Sequence, residues 1–269
     1  MTASSLYNMV DSIFIGHGVG PLAISGLALT FPLMNLAAAF GSLVGVGAAT
    51  LISMRLGQRD YETAQRVLGN VLVLNLIIGI AFGLAALLFL DPILYFFGAS
   101  EATIGYAREY MTVILLGNVV THMYLGLNSV LRASGHPRKS MYATINTVVF
   151  NTILDPLFIF GFGWGIRGAA IATVLAQVIA LLSNKQELLH FRRGIYRLRK
   201  KIVRDMLAIG MSPFLMNLAA CFIVILINKG LKQYGGDLMI GAYGIVNRLA
   251  FFFVMIVMGI NQGMQPIAG

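Results

Sequence analysis

Long apolar runs separated by short polar ones dominate the chain. A first apolar stretch ends at Gly16, and Gly18-Val19-Gly20-Pro21 reads as a turn. The next run, from about Leu22 to Met54, predicts a long helix that Pro32, Gly41, Gly45 and Gly47 allow to bend and pack closely. Polar residues from Arg55 to Arg66 separate it from a third helix over Val67–Leu90. Asp91-Pro92 opens a loop that reaches Glu101. A fourth helix is predicted over Thr103–Leu131, and Ser134-Gly135-His136-Pro137 breaks it. The fifth covers Met141–Phe162, Gly161 to Gly168 is a glycine-rich turn, and the sixth covers Ala169–Leu189. After a basic linker, a seventh helix over Met206–Lys229 and the turn Tyr234-Gly235-Gly236-Asp237 lead into an eighth that ends near Pro266. Several runs reach the roughly 20 residues needed to cross a bilayer. They do not alternate residue by residue, which excludes a membrane β-barrel.

Composition agrees: 58% of residues are hydrophobic and 11% charged, whereas soluble domains are about a quarter charged. The chain is an all-α polytopic membrane protein. Met1 to Ser5 lacks the basic start of a cleavable signal. The single Cys221 lies in an apolar run and offers neither a disulfide framework nor a thiol metal site.

The net charge of +9 is distributed by loop. Arg55, Arg59 and Arg66 follow helix 2, and Arg132, Arg138 and Lys139 follow helix 4. Seven basic residues from Arg192 to Arg204 follow helix 6. The alternate loops are poor in Lys and Arg. By the positive-inside rule, the loops after helices 2, 4 and 6 are cytoplasmic and the protein is a multi-pass component of the cytoplasmic membrane. The charge thus reflects topology, and no soluble domain exists to carry a nucleic-acid patch.

Sorting the acids leaves two inside apolar spans, Asp11 and Asp155. Glu109 reads as an interfacial partner of its neighbour Arg108, and the other acids lie in loops or at helix ends. Asn151 precedes Asp155 by one helical turn on the same face, and Pro156 follows it. Pro156 has no N–H, so the carbonyl of Thr152 lacks its usual helical partner; Pro156 is the candidate hinge. A charge at such depth is unfavourable by a few kcal/mol and usually marks a proton, ion or substrate path. Tyr7 shares the face of Asp11. Both acids come late in helices that run outward, which places them in the outer half of the membrane. Two nearby carboxylates out of water cannot both carry charge cheaply. That suits a proton carrier, and the same oxygens can instead hold Na⁺. Asn35, Asn118, Asn128, Asn146 and Thr173 also lie within spans, where helix–helix hydrogen bonds are their ordinary use. His17, His122 and His136 have no metal-site spacing. Gly163-x-Gly165-x-x-Gly168 matches a dinucleotide-loop pattern but joins two membrane helices and follows no strand.

Gly45-Val46-Gly47 near the end of helix 2 resembles Gly259 to Gly263 near the end of helix 8. If helices 7 and 8 open a second copy, each copy has six helices and the two are parallel repeats about the membrane normal.

Several motifs resemble the multidrug and toxic compound extrusion (MATE) transporters. They are Tyr7-Asn8-Met9-Val10-Asp11, Gly57-Gln58-Arg59-Asp60, Leu131-Arg132-Ala133-Ser134-Gly135, and Asn151 to Pro156 with the later Gly165-Ile166-Arg167-Gly168-Ala169-Ala170. They recur in the family's order across essentially the whole chain. The resemblance implies a fold of twelve helices in two lobes. On that plan, residues 1–189 form the amino-terminal six-helix lobe with helix 1 truncated. Residues 190–204 form a cytoplasmic linker, and 205–269 begin the carboxy-terminal lobe, the rest of which is missing. The resemblance also implies export of cationic, amphipathic small molecules coupled to inward H⁺ or Na⁺, with no other cofactor and no enzymatic activity. A first-lobe coupling site maps to Asp11, Asn151, Asp155 and Thr173, with Tyr7, Asn35 and Asn128 toward the substrate cavity and lipid around the helices. Helix 7 has Asn217 and no acid, which favours the DinF-like branch. Two rivals are a lipid-linked-sugar flippase of the same superfamily and an intramembrane aspartyl protease. Asp155 lacks the Gly-x-Gly-Asp context of the latter.

Overall fold

A computed structural model of the chain describes residues 11–183 and 196–268, and the described part is all helix, turn and loop. The first helix, α1, is described over 11–18. Then follow α2 (Pro21–Gly57), α3 (Tyr61–Leu88), α4 (Leu90–Phe96), α5 (Ile104–Leu116), α6 (Asn118–Ala133), α7 (Pro137–Pro156), α8 (Gly165–Ser183) and α9 (Lys200–Ala268). Among the described residues, five helical runs are long and apolar enough to cross a membrane, and α5 with α6 makes a further, bent one.

Local chemistry sets several boundaries. Pro21 starts α2, where a missing N–H does no harm. Asp60 caps α3 by accepting the Thr63 N–H at 3.1 Å, and the Thr63 side chain together with that N–H holds its carboxyl below the usual carboxylate range. The predicted fourth helix is broken at Gly117, where α5 and α6 meet at 58°. α8 packs closely at this bend: a Cβ at Gly117 would lie 2.5 Å from a methyl of Val174, so a larger residue would not fit. The predicted loop after Asp91 instead contains α4, with Asp91 in its first turn. The predicted turn at 234–237 contracts to one residue, Gly236, whose φ of 68° breaks α9 into two arms. The end of the predicted sixth helix and the start of the basic linker lie outside the described residues.

Two buried apolar clusters sit toward opposite ends of α2. One gathers Leu27, Leu29, Leu33, Met111, Ile225 and Ile240. The other gathers Val44, Leu51, Val67, Val71, Val130 and Met206. Lipid supplies no hydrophobic force between helices, so close backbone approach through small residues matters. The first arm of α9 presses against α2 in this way. A Cβ at Gly47 would lie 2.0 Å from the Met206 carbonyl oxygen, and one at Gly210 would lie 1.8 Å from that of Leu43.

The basic loops gather at one end of the molecule. Ser53 Oγ donates to the Ala133 carbonyl at 3.2 Å. Asn70 donates to the Arg197 carbonyl and accepts the Arg199 N–H at 3.0 Å. At the other end, Arg108 forms a two-pronged pair with Asp91 at 2.7 and 2.8 Å, and Arg167 pairs with Glu109 at 3.3 Å. The expected Glu109–Arg108 pair is therefore replaced by two pairs with other elements. Neighbours in sequence on a helix do not face each other. Ser100 Oγ donates to Asp237 at 2.6 Å, and Lys232 to the Ala99 carbonyl at 2.5 Å. These bonds tie the α4–α5 loop to the break in α9.

Candidate functional site

The irregularity at Pro156 shapes the site. Beyond it the helix widens into a π turn over Leu157–Gly161, closed by Phe162 N–H to the Leu157 carbonyl at 3.0 Å. Such turns in a helix often mark functional positions. Two elements pack on this turn. A Cβ at Gly18 would lie 2.8 Å from side-chain carbons of Ile159 and Phe160, and one at Gly168 would lie 2.8 Å from the Phe158 backbone. Phe14 meets Phe160 edge-on, with ring centroids 6.3 Å apart. Asp11, Phe14 and Gly18 fall on one face of α1 by their spacing. The packing that seats α1 on α7 thus turns Asp11 toward Asp155. The three glycines of the dinucleotide-like pattern are accounted for here: Gly163 and Gly165 take positive φ in the turn, and Gly168 lets α8 approach α7.

Asp155 is fully buried, Asn151 is 1% exposed, Asp11 2% and Thr173 7%. Asn151 Nδ2 lies 3.1 Å from Asp155 Oδ1 and 3.4 Å from Thr173 Oγ1. The Thr173 hydroxyl also reaches the Ala169 carbonyl at 3.1 Å. Among the described residues, three acceptor atoms of this group are buried with no hydrogen-bond partner: Asp11 Oδ1, Asn151 Oδ1 and Asp155 Oδ2. Burying such atoms unsatisfied is unfavourable by about 1–3 kcal/mol each, and more if charged. A bound proton or a cation would relieve it. Among the described residues, no three His, Cys, Asp or Glu side chains group as a metal site. The available donor set is two carboxylates, an amide oxygen and a hydroxyl, which suits H⁺ or a hard cation such as Na⁺.

Hydrogen bonds bring Asn151, Asp155 and Thr173 together, and α1, which carries the buried Asp11, packs on the π turn beyond them. The structure places the other expected residues elsewhere. Tyr7 lies outside the described residues. Asn35 is half-buried on α2. Asn128 links α6 to α7: it donates to Thr144 Oγ1 at 3.1 Å and accepts from the Ser140 hydroxyl. Asn118 donates to the Gly79 carbonyl at 3.0 Å, and Asn146 is exposed on α7. Both Asn128 and Asn118 thus make the helix–helix bonds that are the ordinary use of such residues.

Two polar residues that sorting the acids does not reach are prominent. Gln177 on α8 accepts from Thr121 at 2.7 Å. Arg248, in the second arm of α9, lines a cleft of about 430 Å³ whose opposite wall is Ser12, Ile13, Gly16 and His17 of α1. Applying the intramembrane-charge rule to bases as well as acids would have marked Arg248.

Residues 1–157 match the family MatE. The chain is 32% identical over 270 residues to the Multidrug export protein MepA of Staphylococcus haemolyticus (strain JCSC1435), covering 98% of this chain and 60% of that protein. It is also similar to a solved MATE multidrug transporter, DinF-BH in complex with rhodamine 6G. That similarity has a TM-score of 0.92 and 35% identity, and it covers all of this chain and 62% of the other. A structure described as the inward-facing conformation of a multidrug resistance MATE family transporter superposes with a TM-score of 0.88 at 28% identity, over 95% of this chain and 59% of its own. The chain therefore spans about three fifths of the length of these relatives.

Proposed function

This chain belongs to the MATE family, and from that premise we propose that it works in an antiporter that exports cationic, amphipathic small molecules against inward flow of H⁺ or Na⁺. The observation that carries the reading is the buried group of oxygens at Asp155, Asn151 and Asp11, three of whose acceptor atoms have no partner. They lie where α1, the π turn and α8 converge. Such a site gains from taking up a cation and loses when it gives the cation up. Cation uptake at Asp155 and Asp11 changes the charge beside the hinge at Pro156, lets α1 bend, and displaces a cationic cargo. For transport, the two conformations must bind the cation with different affinity. The lobe plan read from the sequence, with residues 1–189 as the first lobe and 205–269 as the start of the second, gives the two bodies that rock against each other. The similar transporter in complex with rhodamine 6G supports a cationic cargo.

The intramembrane-protease reading falls with family membership, since members of this family are exporters and not enzymes. The flippase reading has Arg248 on its side, as a basic residue from the second lobe lining the cleft. It is disfavoured because the ionisable side chains of the buried site, Asp11 and Asp155, are both acids.

The test uses cells that express this chain within a transporter of its relatives' full length and are loaded with ethidium. Imposing an inward H⁺ or Na⁺ gradient is expected to speed clearance, and collapsing that gradient to stop it. Clearance indifferent to both gradients would remove the antiport reading.

A further inference from the structure

We infer that the basic end of the molecule carries a binding surface for the phosphate headgroups of anionic phospholipids. It is built on Arg197, Arg199, Lys200, Lys201 and Arg204 and held in place by Asn70. The inference rests on the placement of the chain in a membrane and not on the antiport reading.

Asn70 distinguishes this surface from an ordinary solvated run of charge. Its side chain is fully buried on α3, where an amide without partners would be unfavourable. Its Nδ2 donates to the Arg66 carbonyl at 2.7 Å and to the Arg197 carbonyl at 3.4 Å. Its Oδ1 accepts the Arg199 N–H at 3.0 Å. One side chain thus grips both ends of Arg197-Leu198-Arg199, a non-helical segment that leads into α9. From the other direction, Ile202 and Met206 anchor the first turns of α9 in the buried cluster with Val44, Leu51 and Val67. The five basic side chains are nevertheless exposed. Fixed between two anchors, they cannot spread their charges apart as a loose tail would.

Among the described residues, none of the five is in an ion pair. The acids nearby are already engaged or set back: Glu62 pairs with Arg66, Asp60 caps α3, and Asp205 is half-buried. A fixed group of like charges gains from an anion placed among them, and arginine meets phosphate oxygens with two parallel N–H donors.

The neighbours of these charges point to lipid as the source of the phosphate. Tyr196 and Leu198 on the same segment, and Tyr61 at the start of α3, are exposed. Tyrosine interleaved with basic and apolar side chains suits headgroup depth, where one side is apolar and the other wet. Basic clusters directly beside a membrane helix on the cytoplasmic side attract anionic lipid. A soluble anion would meet the same charges and leave Leu198 and Tyr61 uncovered. The surface also lies close to the contact in which the Met206 carbonyl approaches Gly47. A lipid bound there holds the first arm of α9 against α2, which makes occupancy readable as stability.

The experiment uses the full-length transporter that carries this chain, purified in a neutral detergent and followed by thermal unfolding. Phosphatidylglycerol, phosphatidylcholine and inorganic phosphate are added in separate titrations, and native mass spectrometry counts the lipids that stay bound. Phosphatidylglycerol is expected to raise the melting temperature by several degrees, and phosphatidylcholine and phosphate to leave it unchanged. A variant combining Arg197→Gln, Arg199→Gln, Lys200→Gln, Lys201→Gln and Arg204→Gln should lose that rise and bind fewer phosphatidylglycerol molecules. Arg138→Gln, exposed in the neighbouring loop, should keep both. Asn70→Ala should lose most of the rise, because its charges remain but are no longer held. An equal rise in the five-site variant, or none in wild type, would overturn the surface. The full rise in Asn70→Ala would overturn the anchor. A rise with phosphate equal to that with phosphatidylglycerol would overturn lipid as the ligand and leave a site for soluble anions. Should the five-site variant not survive purification, Arg197→Gln with Arg199→Gln takes its place.

Discussion

Asp155→Asn is expected to reach the membrane at wild-type level and to clear ethidium no faster than cells without the protein. The reasoning rests on what the substitution keeps. An asparagine has nearly the shape of aspartate and retains an acceptor oxygen that Asn151 Nδ2 can meet at the present 3.1 Å. It keeps the helix, the proline after it and the π turn beyond. What it removes is the negative charge that takes up a proton or holds Na⁺. Were Asp155 a packing residue bonded only to its helical neighbour, the variant would be nearly silent, because a neutral acceptor in the same place satisfies Asn151 equally well. The side chain is fully buried and its Oδ2 has no partner, so an amide there also relieves some unfavourable burial. The protein should therefore be no less stable while losing activity. That pairing separates a coupling role from a folding role. Asp11→Asn is expected to act in the same direction.

The second large effect concerns assembly. Gly210→Val should lower the melting temperature sharply and reduce the amount of protein recovered from membranes. The atom that the new Cβ would meet, at 1.8 Å, is the backbone carbonyl oxygen of Leu43, and the Leu43 carbonyl carbon lies 2.7 Å away. A flexible side chain can move aside, but a helix backbone cannot, so the first arm of α9 must lift from α2. Overpacking of this kind typically destabilises by about 1–3 kcal/mol, and by more where backbone must shift. The buried cluster that includes Val44 and Met206 opens with it. Gly57→Val is the control: it sits at the exposed end of α2 with nothing within 4 Å of an added Cβ, and its cost should be no more than the exchange of helix propensities. Thermal unfolding of the two variants, followed by fluorescence-detected size exclusion, reads the difference.

Much of this is legible in the residues because lipid makes hydrophobic pattern and intramembrane charge unusually informative. The runs from Leu22, Val67, Met141 and Ala169 all fall in helices, although α3 starts at Tyr61, inside the predicted polar loop, and the predicted end of the sixth lies outside the described residues. Asp155 and Asn151 announce themselves by spacing and by the proline that follows. Other features depend on contacts that no local pattern reveals. The bend at Gly117 lies where Val174 of α8 packs against it. Arg108 and Glu109 look like a pair in sequence, yet each finds its partner on another element. Gly47 and Gly210 can be read as small residues suited to close packing, but not as each belonging to the same contact. Arg248 escapes for a different reason: sorting the acids alone passes over it, although a buried base is as unfavourable in lipid and as much in need of a partner.

The central claim is that Asp155, with Asn151, Thr173 and Asp11, holds a cation that cargo displaces. Adding rhodamine 6G to the purified protein, once in weak buffer with a pH electrode and once loaded with radioactive Na⁺, measures that displacement. Wild type should release H⁺ or Na⁺ as dye binds, and Asp155→Asn should bind dye with much reduced release. Release by Asp155→Asn equal to that of wild type would contradict the claim.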